Sequence, residues 1–136
     1  MFRQIDERML VSGQIQPKDV QAAADAGVTM IVNNRPDGEQ PGQPAGAEIE
    51  AAARAAGLDY RHIPVAGGLS PDLVEAMAQA LDAAEGKVLG FCAAGTRSTY
   101  LWALARLKAG DDVEEIIGKA GAAGYDLSAL RNYRPS

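Results

Sequence analysis

The stretch KVLGFCAAGTRSTYLWALA, residues 87–105, passes from an apolar, β-branched run through a glycine-bearing link into a helical pattern. It carries the single cysteine of the chain, Cys92, at the point of change. KVLGF at 87–91 predicts a strand, and Leu101, Leu104 and Ala105 recur at the three- and four-residue spacing of a buried helix face. The helix is expected to start near Arg97 or Ser98. In an open α/β sheet, ligands bind in the crevice beyond the carboxyl ends of the strands, which is where this reading puts Cys92.

Outward from that stretch, MLVS at 9–12, TMIVN at 29–33 and DYRHIPV at 59–65 predict three further strands, and FRQI at 2–5 can add an edge strand. Helical stripes separate them: Val20, Ala23 and Ala24, then Ile49, Ala52, Ala53 and Ala56, then Leu73, Met77, Ala80, Leu81 and Ala84. Ser70 before Pro71 reads as an N-cap with a first-turn proline, and Asp111 with Glu114 as a capping box. After the cysteine only helices follow, marked by Val113, Ile116, Ile117 and Ala120 and then by Leu127 and Leu130. Strands alternating with helices on short links predict a three-layer α/β fold, with a mostly parallel sheet and helices on both faces. With 136 residues, the whole span 1–136 is expected to form one domain.

Charge and composition narrow the function. The 13 basic and 18 acidic side chains give a net charge of -5, so no global field draws the chain to nucleic acid or an anionic membrane. No run approaches the roughly 18 apolar residues of a membrane span, and a cytoplasmic protein is expected. One cysteine and one histidine exclude an internal disulfide and a Cys/His metal cluster, and no cofactor is implied. The expected partner is a small anion held locally; oligomeric state leaves no mark in the sequence.

CAAGTRS, 92–98, supplies what such an anion needs. The amides of Ala93, Ala94, Gly95 and Thr96 can converge in front of a helix N-terminus, whose positive end also favours a thiolate. Arg97 adds a planar fork able to grip two oxygens, and the Ser98 hydroxyl is placed to donate to the sulfur. Gln14, beside Gly13 at a strand end, and Arg35, on the long loop NNRPDGEQPGQPAG at 33–46, are candidates to line the same crevice. Asp37 and Glu39 on that loop are candidate acids. Asp72 reads as a first-turn acid of a helix, and His62, Phe91, Tyr100 and Trp102 as packing residues.

Four motifs in order, VSGQ at 11–14, NRPDGE at 34–39, GLDYRHIPV at 57–65 and FCAAGTRSTYLWALA at 91–105, resemble the phosphatase-like domain of bacterial beta-lactamase-hydrolase-like proteins. That resemblance implies the dual-specificity cysteine phosphatase fold, with Cys92 as nucleophile and Arg97 as anion-binding residue. The family's members have been labelled both phosphatase and sulfurtransferase. Cysteine phosphatases typically place five residues between Cys and Arg, whereas AAGT is four, a spacing similar to short-loop rhodaneses. Phosphatases also usually carry an Asp after the strand equivalent to HIPV, where AGGLS at 66–70 has no carboxyl. Both departures lead to an expectation of sulfur transfer through a Cys92 persulfide, fed by thiosulfate or another persulfide. The alternative is a phosphatase acting on a phosphoester through a cysteinyl-phosphate, with Asp37 as acid. An oxyanion-binding module or a thiol redox sensor is the second alternative.

Overall fold

The structure, a computed structural model, describes residues 2–133. Its elements run β1 Arg3–Gln4, β2 Met9–Ser12, α1 Val20–Asp25, β3 Val28–Asn33, α2 Gly46–Ala55, β4 Asp59–His62, α3 Pro71–Ala83, β5 Lys87–Phe91, α4 Thr96–Lys108 and α5 Val113–Ala122. Short 3-10 turns precede α1, at Pro17–Asp19, and follow α5, at Ser128–Asn132. The predicted spans of β2 and β5 are reproduced residue for residue, while DYRHIPV ends its strand at His62.

Successive side chains of a strand point to opposite faces of the sheet, and both faces here are apolar. Met9, Val11, Met30, Val32 and Val88 enter one cluster, with the buried sides of α3, α4 and α5. Leu10, Ile31, Leu89 and Phe91 enter the other, with Val20 and Ala23 of α1 and Ile49 and Ala53 of α2. The strand order is β1-β2-β5-β3-β4; β2, β5, β3 and β4 pair in parallel, and β1 adds an antiparallel edge. This is the three-layer, mostly parallel α/β fold. The buried stripe of α3 centres on Val74, Met77 and Ala80, one position on from the expected Leu73.

Caps fix the helix starts. The Ser70 side chain accepts from the Leu73 N–H ahead of Pro71, as expected. For α5 the cap is Asp112, one residue after the predicted Asp111, and its carboxylate accepts from the N–H groups of Glu114 and Glu115. Asp111 is instead drawn to Arg106, at 2.8 Å. Among the described residues, no helix is long and apolar enough to cross a membrane.

Candidate active site

Topology creates the site. β5 lies between β2 and β3, and the chain leaves β2 and β3 towards helices of one face but leaves β5 towards α4 on the other. Connections that diverge from adjacent strands open a crevice at their carboxyl ends, here directly beyond Phe91. The β2 exit brings Gly13 and Gln14 against the cysteine loop, with the Gln14 N–H donating to the Ala93 carbonyl at 3.3 Å. A Cβ on Gly13 would lie 2.9 Å from that same oxygen, so only glycine allows the approach. The β3 exit delivers Asn34, Arg35, Asp37 and Glu39.

Cys92 is 1% exposed, yet it belongs to neither apolar cluster. Its sulfur accepts from the Gly95 N–H at 3.1 Å. α4 starts at Thr96 behind Gly95, whose φ of 95° is left-handed and suits glycine. No side chain caps this helix. The first N–H groups of a helix lack intrahelical partners, and those of Ala93, Ala94, Thr96, Arg97 and Ser98 donate to none of the described residues. Orphan donors at a helix start can hold an anion.

Arg97 reaches the site in a fixed pose. Of its five N–H donors, Nη1 gives to Glu39 at 2.8 Å and to the Val65 carbonyl at 2.9 Å, and Nη2 gives to Glu39 at 2.9 Å. What remains is the flat edge made by Nε–H and the second Nη2–H. Hydrogen bonding to Glu39 raises the Arg97 pKa most, and the Cys92 sulfur is near enough to raise it further. Glu39 also accepts from Arg35 Nε at 2.9 Å, and Arg35 Nη1 donates to Gln14 at 3.0 Å. Hydrogen bonds from Arg97 and then Arg35 hold the Glu39 carboxyl down at about 2. It is a carboxylate at neutral pH.

The remaining candidates take other positions. The Ser98 hydroxyl donates to Asn34 Oδ1 at 2.7 Å rather than to the sulfur, because Gly90 lets the first turn of α4 lie on the sheet and turns Ser98 inward. Asp37 accepts from the Gly46 N–H at 2.8 Å, at the start of α2. The structure thus gathers Cys92, the 93–98 amides, Arg97, Arg35 and Gln14, and sets Asp37 to anchoring its own loop. The His62 ring lies 3.2 Å from the Arg35 carbonyl. Sequence reasoning missed Asn34, which joins Ser98 to the Ile63 carbonyl, and Tyr125, whose hydroxyl donates to the Ala94 carbonyl at 3.1 Å. The paired asparagines at 33 and 34 were the available signal for the first. Among the described residues, no group of His, Cys, Asp and Glu is arranged to hold a metal.

Residues 1–109 match the family of the beta-lactamase hydrolase-like protein, phosphatase-like domain. The chain belongs to that family. This phosphatase-like domain is 38% identical over 134 residues to the beta-lactamase hydrolase-like protein of Agrobacterium fabrum, covering 95% of the chain and 30% of that relative's length. A crystal structure of a candidate phosphatase from Neisseria meningitidis superposes with a TM-score of 0.83 at 36% identity, covering 96% of this chain and 93% of that one. Kinase associated phosphatase, solved with its catalytic site cysteine replaced by serine, shares the fold at a TM-score of 0.65 and 17% identity, over 89% and 79% of the two chains. The family description and the Neisseria structure side with the phosphatase alternative and give no support to the sulfur transfer that the loop length and the missing acid led us to expect.

Proposed function

We propose that the domain is a cysteine-dependent phosphatase acting on phosphomonoesters with good leaving groups. The observation that carries this reading is Arg97, held by Glu39 and the Val65 carbonyl with the Cys92 sulfur close to its guanidinium, at the end of a loop whose amides at 93, 94 and 96–98 donate to none of the described residues. The Cys92 thiolate attacks phosphorus, forming an S–P bond as the P–O ester bond breaks and its electron pair leaves on the ester oxygen. Water then attacks the same phosphorus, releasing inorganic phosphate and returning the sulfur. The loop amides and the Arg97 edge hold the equatorial oxygens, where charge is carried through both steps.

Leaving-group protonation sets the substrate preference. Glu39 is ionised between two guanidiniums and has no proton to give, and the Asp37 carboxylate is engaged with the Gly46 N–H. Aryl phosphates, whose oxygen departs as a stable anion, are therefore expected to turn over, and alkyl phosphates to turn over far more slowly. The four-residue Cys-to-Arg spacing favours a second reading, sulfur transfer through a Cys92 persulfide, which needs no acid.

One paired experiment separates the two. Initial rates on an aryl and an alkyl phosphate are measured beside the intact mass after exposure to thiosulfate, with Cys92→Ser as control. Aryl phosphate hydrolysis that depends on Cys92, with no gain of one sulfur, is the expected result. A Cys92-dependent gain of one sulfur, removable by cyanide and without phosphate release, would replace the proposal with sulfur transfer.

A further inference from the structure

In a trans peptide the C=O and N–H lie in one plane and point in opposite directions. In the Ala94–Gly95 peptide the N–H donates to the Cys92 sulfur at 3.1 Å, and the carbonyl on the other side accepts from the Tyr125 hydroxyl at 3.1 Å. Gly95 has φ 95° and ψ -13°, the geometry of the third residue of a type II turn. Type I differs by a flip of the preceding peptide, with φ near roughly -90° at that residue, and glycine accepts either. A flipped peptide would turn its N–H away from the sulfur and aim the Ala94 oxygen into the anion site.

We infer that Tyr125 is a positioning residue: by holding the Ala94 carbonyl it locks the 94–95 peptide in the orientation that serves the nucleophile. The inference rests on the reading of Cys92 as nucleophile. Tyr125 lies beyond the span 1–109 over which the family model matches.

Tyr125 is well held for this task. It follows Gly124, with φ 99°, at the end of α5, and its own N–H returns to the Ala120 carbonyl at 2.9 Å while that of Gly124 returns to Gly121 at 3.0 Å. That pair of bonds is a Schellman cap, which fixes where the next side chain emerges. Arg3, on the edge strand, donates to the Ala123 carbonyl at 2.9 Å and lays its guanidinium 5.7 Å from the centre of the Tyr125 ring. The ring packs so closely on Gly95 that a Cβ there would collide with the Tyr125 hydroxyl. Burial pushes the Tyr125 pKa up, which keeps the hydroxyl protonated and able to donate.

The test compares wild type with Tyr125→Phe, and with Arg3→Gln as a milder disturbance of the same ring. The Gly95 amide is followed by NMR for chemical shift and hydrogen exchange, thermal unfolding is measured alongside, and affinity for inorganic phosphate is titrated. Tyr125→Phe is expected to melt close to wild type, to exchange its Gly95 amide on the order of tenfold faster, and to bind phosphate on the order of tenfold more weakly. Arg3→Gln should move the same readouts in the same direction by less. An unchanged Gly95 resonance and exchange rate in Tyr125→Phe would overturn the lock. If wild type binds no phosphate while its Gly95 amide still changes on removal of the hydroxyl, the lock stands and the phosphatase reading falls.

Discussion

The helices α4 and α5 begin in opposite ways. α5 starts behind Asp112, whose carboxylate takes two of its leading N–H groups, and carries Glu114 and Glu115 in its first turn. α4 starts behind a glycine, with no side-chain cap and no acid in its first turn. Both ends carry the same positive dipole and the same orphan donors. At α5 they are consumed by the chain, and at α4 they are left around a sulfur and an arginine edge. In the proposed function the ligand supplies at α4 the acceptors that a side-chain cap, worth about 1 kcal/mol, supplies at α5.

The contrast fails most completely if the sulfur is removed. Cys92→Ser keeps the amides and Arg97 but substitutes a far weaker nucleophile, so aryl phosphate turnover should fall on the order of 10³-fold or more while phosphate binding survives. Stopped-time phosphate release and a phosphate titration on one sample check both halves. Turnover that persists in the serine variant would place the chemistry elsewhere.

Giving α4 the acid that it lacks erases the contrast from the other direction. In Ala93→Asp a carboxylate on the exposed loop would compete for the orphan amides, as Asp112 does at α5. Phosphate affinity should drop on the order of 100-fold through like-charge repulsion, with the melting temperature unchanged or raised. A variant that binds phosphate as well as wild type would show that the amides do not form the anion site.

Glu39 sharpens the comparison, because here an acid near the α4 start is tied to arginines instead of amides. Its folded-state pKa of about 2 lies below the ordinary 4.5, so its contribution to stability is fully present above about 4.5 and is lost as pH falls through about 2. Unfolding midpoints measured from pH 5 downwards should decline in wild type, and decline less in Glu39→Gln. At neutral pH that variant should lose on the order of tenfold in kcat/KM, since Arg97 loses the carboxylate that fixes its end edge. A wild-type profile identical to that of Glu39→Gln would detach the carboxylate from the site.

The fold was legible where local pattern and burial coincide. β2 and β5 are buried along nearly their whole length, so their apolar runs begin and end with the strands themselves. Cys92, Gly95 and Arg97 were legible together because a strand, a turn and a helix meet within six residues. The long loop at 33–46 stood out as a candidate functional segment, but Glu39 meets Arg97 across 58 positions and no spacing rule encodes such a pairing. Asp37 and Glu39 were both candidate acids in RPDGE, with Asp37 preferred, until the fold gave Asp37 an amide and Glu39 two guanidiniums. Tyr125 was invisible for a related reason: its role depends on the cap of α5 and on Arg3 at the far end of the chain.

Asp112→Ala carries the smallest effect and isolates what ordinary capping does. Removing the carboxylate leaves the Glu114 and Glu115 N–H groups to water, at a cost of about 1 kcal/mol. For a domain of this size that is a fall of roughly 3–6 °C in melting temperature. Asp112 touches neither the cysteine loop nor the arginines, so kcat/KM on an aryl phosphate should stay within about twofold of wild type. α5 does end beside Tyr125, and fraying at its start is separated from that end by nearly three turns of helix. A loss of activity larger than the loss of stability accounts for would mean that the cap of α5 is transmitted along the helix to Tyr125 and the loop, and the two helix starts would then be coupled parts of one site.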